Sequence, residues 1–110
     1  MDQIKIEDWA KVEIRIGEIK SAEKIPETDK LLRLEVDFSE EKLRQIVSGI
    51  ATFFPEPNAL VGKKCAFVTN LEPRMLKGFE SQGMILAAKA GESLSLLEVA
   101  PEIIAGTRIN

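Results

Sequence analysis

The sequence lacks histidine and tyrosine altogether, and it contains a single cysteine. One cysteine excludes an internal disulfide, and the absence of histidine removes nearly all zinc sites and every His-based catalytic arrangement. Carboxylates remain, but neighbours such as Glu40 and Glu41 are typical of a solvated turn. Cys65 lies in the apolar run CAFV, which predicts a buried, unreactive thiol. We therefore expect no catalytic site, no metal and no cofactor.

Long apolar runs are also missing. No stretch approaches the roughly 20 residues that a membrane span needs. The first twelve residues are charged throughout and lack the apolar core of a signal peptide. A chain of 110 residues with 45% hydrophobic and 30% charged side chains predicts one folded domain covering residues 1–110. The expected location is the cytoplasm, away from any membrane.

The charge of the chain is weakly negative and unevenly distributed. A formal net charge of −3 argues against a protein that coats nucleic acid indiscriminately. Residues 63–78, however, carry four basic side chains against one acidic side chain, a local net charge of +3: Lys63, Lys64, Arg74 and Lys77 against Glu72. This imbalance predicts a basic surface, although a solvated face with no function remains an alternative.

Alternation of apolar and polar residues predicts three strands in the first half of the chain, at 11–19, 31–38 and 43–50. In the first strand, Gly17 interrupts the outward face and indicates a bulge or a sharp bend. The four-residue link 39–42 predicts that the second and third strands form a hairpin.

The second half of the chain predicts further short strands. Two prolines between residues 50 and 61 exclude a long helix, and a helical turn is expected at about 56–61. Strands follow at 63–70, 81–88 and 93–100. Five or six strands, with one helical element between the third and fourth, favour an all-β OB-fold barrel. A small sandwich or an SH3-like barrel remains open on this pattern alone.

The segment NLEPRMLKGFESQGM (70–84) matches neither a strand nor an ordinary turn. Arg74 and Lys77 are suited to phosphate contacts, and the polar and apolar side chains around them could accompany a ribose or a base. Only 5% of the residues are aromatic, which argues against base stacking as the main mode of binding. From the residues alone, an RNA-contact loop and a generic surface loop both remain open.

Four segments resemble the signatures of one tRNA-binding domain: DWAKVEIRIGEI (8–19), DKLLRLEVD (29–37), RQIVSGI (44–50) and NLEPRMLKGFESQGMIL (70–86). That domain occurs at the C-terminus or as the beta subunit of methionyl-tRNA synthetases, as free-standing tRNA-binding proteins, and in the endothelial monocyte-activating polypeptide group. The resemblance runs from about residue 4 to residue 109. It implies a non-catalytic OB-fold module that binds tRNA by shape, either free-standing or beside a methionyl-tRNA synthetase catalytic chain.

The resemblance also implies an oligomeric state and a set of contact residues. Terminal extensions, roughly 1–12 and 92–110, are expected to pair two copies into a homodimer. In this family a second basic residue commonly follows the Pro-Arg pair, where this chain has Met75. We therefore expect this chain to bind tRNA more weakly than a richly basic member of the family. The residues that fall on the family's tRNA-contact positions are Lys30, Ser48, Asn70, Arg74, Lys77, Ser81, Gln82 and Met84.

A related branch with the same fold includes a bacterial export-associated chaperone that binds peptides. A hydrophobic groove near Met75, Leu76 and Phe79 would suit such a function. Peptide binding is therefore the alternative to tRNA binding.

Overall fold

A five-stranded antiparallel sheet forms the body of the molecule, in a computed structural model that describes residues 1–110. The strand order is β3-β2-β1-β4-β7, and the edge strand β3 contacts β7 and the short strand β6 (Phe79–Ser81) across the open side. These contacts give the sheet the barrel form expected of an OB-fold. The sheet strands are β1 (Ile14–Lys24), β2 (Leu32–Asp37), β3 (Arg44–Ser48), β4 (Lys64–Val68) and β7 (Met84–Ile85).

The predicted alternation determines which face of each strand enters the core. In β2, Leu32, Leu34 and Val36 are fully buried, while the charged residues between them are half-buried. β2 pairs with β3 in regular antiparallel register, so the predicted hairpin is confirmed. The first strand begins at Ile14 rather than at residue 11, which leaves Val12 outside the sheet and exposed.

Two 3₁₀ helices, Ala51–Phe53 and Pro57–Leu60, connect β3 to β4. The helical turn expected at 56–61 is therefore confirmed, at the position where OB-folds carry their helix. Leu60 from the second helix is 1% exposed and joins the main hydrophobic core. Near the centre of that core, the rings of Phe38 and Phe67 meet edge to face at 5.2 Å.

Gly17 is required by packing and not by a bulge. It pairs in regular register with Cys65, and the irregularity in β1 lies further along, between Ile19 and Ser21. A Cβ atom at position 17 would overlap Val36 Cγ1 and lie 2.6 Å from the Phe38 ring. The prediction of a bulge at Gly17 was wrong because a glycine in a strand also marks close approach of a neighbouring side chain.

The remaining strands are short. The segment predicted as one strand at 81–88 is divided, because β7 pairs with β4 whereas β8 (Ala87–Ala90) pairs with β9 (Ser93–Leu96). Two further strands, β5 (Arg74–Leu76) and β6 (Phe79–Ser81), form a separate hairpin. The one-turn helix α1 (Ile6–Trp9) was not predicted; it has only four residues and none of them is buried.

The C-terminal segment returns to the start of β1. The Gly106 N–H donates to the Ile16 carbonyl at 2.7 Å, and the Ile109 N–H donates to the Ile14 carbonyl at 2.8 Å. The backbone of this segment is therefore fixed on its own barrel. None of the helices has the length and apolar character needed to cross a membrane.

The contact between Gly17 and Phe38 generates a stability prediction. Gly17→Ala should lower the free energy of unfolding by about 1–3 kcal/mol, because the added methyl group overpacks the core. Gly49→Ala is the matched control, since nothing lies within 4 Å of a Cβ atom there. Urea denaturation of both variants measures the difference. Equal stabilities would show that the core relaxes around residue 17.

Candidate nucleic-acid interface

The segment 70–84 contains a tight β-hairpin. β5 and β6 pair directly, with Arg74 opposite Ser81 and Leu76 opposite Phe79. Lys77 and Gly78 form the two-residue connection with φ values of 50° and 85°, as a type I′ turn requires. The expectation of neither strand nor turn was wrong, because the strands have three residues each and lysine occupies a position where Asn or Gly is usual.

The end of this hairpin is attached to the edge strand β3. The Gln82 N–H donates to the Gln45 carbonyl at 2.8 Å, and the Gln45 N–H donates to Gln82 Oε1 at 2.9 Å. The Val47 N–H donates to Ser81 Oγ at 2.9 Å. The side chains of Ser81 and Gln82, both expected to contact tRNA, thus satisfy the backbone of β3 in this structure.

A groove of about 490 Å³ separates the hairpin from the turn that precedes β2. Lys30 and Lys77, two predicted contact residues from distant parts of the sequence, line the same groove. The apolar lining consists of Leu31, Met75 and Leu76. The other lining residues are Glu27, Thr28 and Asp29. Asp29 begins the segment DKLLRLEVD, whereas Glu27 and Thr28 belong to none of the four segments.

Leu76 also lines a smaller recess of about 90 Å³. Three more predicted contact residues, Arg74, Ser81 and Met84, line this recess. Five of the eight predicted residues therefore line one of two spaces that share Leu76. We call the groove and the recess together the hairpin surface.

The other three predicted residues lie outside the hairpin surface. Asn70 joins the N-terminal segment, because its Nδ2 donates to the Lys11 carbonyl at 2.6 Å and its Oδ1 accepts from the Glu13 N–H at 2.8 Å. Gln82 binds β3, as described above. Ser48 is half-buried in β3, opposite Leu32 of β2. Direct tRNA contacts by these residues stay predictions.

The predicted basic surface around residues 63–78 is divided in the structure. Lys64 Nζ donates to the carbonyls of Pro101 and Ile103, and Lys63 forms an ion pair with Glu98 at 3.2 Å. β4 then carries the chain away by roughly 15 Å before the hairpin begins. The basic side chains of residues 63–78 therefore do not form one surface, and the hairpin itself supplies only Arg74 and Lys77.

The strongest ionic contact near the hairpin joins Arg44 to Glu40. The guanidinium donates to both carboxylate oxygens at 2.8 Å. These hydrogen bonds lower the pKa of the Glu40 carboxyl and raise that of Arg44. Because the folded pKa of Glu40 is lowered, the contribution of the pair to stability is present at neutral pH. It is lost as the pH falls and the carboxyl takes up a proton.

Cys65 is completely buried, as predicted, and burial raises the pKa of its thiol to about 11. No group of three or more Asp, Glu or Cys side chains is placed to hold a metal ion.

The barrel and the hairpin surface define a class of protein, the OB-fold binding module, in which loops at one rim of the barrel contact the ligand. The chain belongs to the tRNA-binding domain family. The model of that family, described as "Putative tRNA binding domain", matches residues 14–108. Over 107 residues the chain is 50% identical to a methionine–tRNA ligase of Thermotoga maritima, a match that covers 97% of this chain and 17% of the ligase.

Two solved structures share the fold over almost the whole chain. A MetRS related protein from Pyrococcus horikoshii has 40% identity and a TM-score of 0.91, with 99% of each chain covered. The chaperone CsaA from Bacillus anthracis has 29% identity and a TM-score of 0.86, covering 99% of this chain and 100% of CsaA. Both the expected family and its chaperone branch are therefore similar to this chain.

The conformation of Lys77 generates a prediction about the hairpin. An L-residue other than Asn or Gly is strained at positive φ, at a cost of roughly 1–2 kcal/mol. Lys77→Asn should therefore raise the free energy of unfolding by a few tenths to about 1 kcal/mol. Thermal denaturation measures this change, with Lys42→Asn as a control at an exposed turn position without positive φ. Lower stability of Lys77→Asn would mean that contacts of the lysine outweigh the strain.

Proposed function

We propose that this chain is a non-catalytic module that binds tRNA through the hairpin surface. One observation carries the proposal: Lys30 and Lys77 line the groove, Arg74 lines the recess that shares Leu76 with it, and none of the three forms an ion pair or a side-chain hydrogen bond within the chain. All three are exposed. Unpaired cations around an open groove are suited to phosphates on a folded RNA.

The composition of the surface favours recognition of shape. Phe79 is the one aromatic residue of the hairpin, and it is half-buried. Met75 is 63% exposed on the groove, where a basic residue would have added a phosphate contact. Because the surface has few aromatic residues, contacts along the RNA backbone are favoured over stacking on bases. Because it has few cations, each binding site should be of modest strength.

The whole relatives are larger proteins, and the chain spans about 17% of the length of the methionine–tRNA ligase that it matches. We propose that the module raises affinity for tRNA while a separate catalytic unit performs aminoacylation. This unit could be a methionyl-tRNA synthetase chain that the module assists in trans. The module would then work in the cytoplasm, where tRNA is charged.

A homodimer is the second part of the proposal. Both terminal segments carry exposed apolar residues, and Ile6 and Ile104 are 73% and 72% exposed. A cavity of about 320 Å³ lies between α1 and the C-terminal residues, lined by Trp9 and Ile109 among others. An exposed apolar cluster of this kind is typical of an interface. Two copies would place two hairpin surfaces on one particle and raise the affinity through avidity.

The first test removes the two cations of the hairpin. Arg74→Ala combined with Lys77→Ala should weaken binding of tRNA. It should also flatten the slope of log affinity against log salt by roughly 1.4–1.8 in total, at 0.7–0.9 per phosphate contact. Filter binding or fluorescence anisotropy at several salt concentrations measures both quantities.

The matched control is Lys42→Ala combined with Lys89→Ala, which removes the same charge outside the hairpin surface. Its affinity should fall much less. Equal losses in the two double variants would mean that net charge, and not this surface, determines binding. A wild-type chain that binds duplex DNA as well as tRNA, with no dependence on salt, would contradict the proposal altogether.

The dimer is tested by charged substitutions at its proposed centre. Ile6→Glu combined with Ile104→Glu should yield a folded monomer, because both side chains are already exposed and the single barrel loses little burial. Sedimentation velocity measures the mass. Leu43→Glu combined with Val61→Glu, at two exposed apolar residues elsewhere, should leave the dimer intact. A dimer that survives the first pair of substitutions would place the interface on another face.

Peptide binding is the second candidate, because the groove has an apolar lining and the chaperone CsaA shares the fold. An unfolded peptide would bind through Leu31, Met75 and Leu76 with little dependence on salt. Titration of tRNA and of an unfolded peptide at two salt concentrations separates the candidates. Tighter, salt-independent peptide binding would favour the chaperone function.

A further inference from the structure

Arg44 lies at the base of the hairpin and touches both ends of the segment that carries it. Its Nη1 atom donates to the Thr69 carbonyl at 2.7 Å and to the Gln82 carbonyl at 3.2 Å. Residues 70–81, between these two carbonyls, include the whole hairpin. One nitrogen atom thus joins the point where the chain leaves the barrel to the point where it returns.

Glu40 holds this guanidinium in place. The carboxylate accepts from Nε and Nη2 of Arg44, in the parallel two-bond geometry that fixes the orientation of an arginine. Arg15 approaches the same carboxylate at 3.6 Å, and the Arg44 guanidinium lies 5.4 Å from the centre of the Phe38 ring. The pair is therefore anchored to the barrel as well as to the loop.

Few donors of Arg44 remain for a ligand. A guanidinium has five N–H groups, and four of them are directed at protein acceptors here. The Arg44 side chain is also only 22% exposed. A direct contact with an RNA phosphate would require Arg44 to give up bonds that hold the loop.

We infer that Arg44 and Glu40 are positioning residues, which hold the hairpin so that Arg74 and Lys77 face the same ligand as Lys30. This inference rests on the proposed binding of tRNA through the hairpin surface. The two residues contact no RNA themselves. Arg44 attaches both ends of the hairpin segment to the barrel, and Glu40 orients the Arg44 guanidinium.

A second set of contacts supports the same end of the loop. The Thr69 N–H donates to the Glu13 carbonyl at 2.9 Å, and the Thr69 hydroxyl donates to the Glu13 carboxylate at 2.6 Å. Thr69 is therefore a fixed point, since β1, β3 and β4 all meet there. A guanidinium attached to a fixed point can restrain Gln82, and with it the returning strand of the hairpin.

Glu40→Gln provides a test in which charge and position act in opposite directions. Removing an acidic group near a polyanion site should raise affinity for tRNA if only charge matters. If Glu40 positions Arg44, affinity should instead fall by roughly twofold to tenfold, in the range of coupling between contacting residues. Glu41→Gln is the matched control, with the same change of charge at a neighbouring exposed residue that forms no ion pair.

A double-mutant cycle separates this inference from the proposed function. In the Arg74→Ala, Lys77→Ala background, Glu40→Gln should no longer lower the affinity for tRNA, because the loop has lost the groups that Glu40 and Arg44 position. If the background variant itself binds tRNA as the wild type does, the proposed function fails at this surface. If it binds weakly, but Glu40→Gln and Glu41→Gln behave alike, only the positioning role fails.

A measurement without RNA covers the case in which Glu40→Gln weakens the whole fold. Amide hydrogen exchange of residues 74–79 should become faster in Glu40→Gln than in Glu41→Gln, while the buried amides of β1 and β2 exchange at unchanged rates. Arg44→Lys should give the same result, because lysine keeps the charge but not the planar fork. Unchanged exchange in the hairpin of both variants would overturn the inference.

Discussion

The attachment of residues 80–82 to the edge strand β3 is the constraint on which the hairpin surface depends. An edge strand presents unpaired backbone groups, and here the N–H groups of Gln45 and Val47 are satisfied by the side chains of Gln82 and Ser81. The same bonds bring the returning end of the hairpin against the barrel. The same hydrogen bonds therefore close the barrel and position the residues proposed to contact tRNA.

This dual role divides the proposed contact residues by function. Lys30, Arg74 and Lys77 keep their charges free for a ligand, whereas Ser81 and Gln82 use their polar atoms within the protein. The segment 70–86 contains both kinds of residue. Only the hydrogen bonds and the burial of each side chain distinguish a residue that touches the ligand from one that supports it.

The main sheet could be predicted from the sequence, because strands such as β2 bury one face and therefore alternate strictly. The hairpin could not, since its three-residue strands are too short for a period and its turn places a lysine at positive φ. The structure places Lys30 and Lys77 on one groove, a proximity that no local pattern in the sequence could have predicted. The sequence also could not predict that the basic segment 63–78 is divided, because this depends on the tertiary contacts that hold Lys63 and Lys64 at the other end of β4.

The proposed binding of tRNA at the hairpin surface is tested most directly by hydrogen exchange of the chain with and without tRNA, since bound RNA slows exchange of the amides that it covers. We expect slower exchange at residues 74–79 and 27–31, with no change in the hairpin of β8 and β9. Protection confined to β8 and β9, or to the terminal segments, would contradict it.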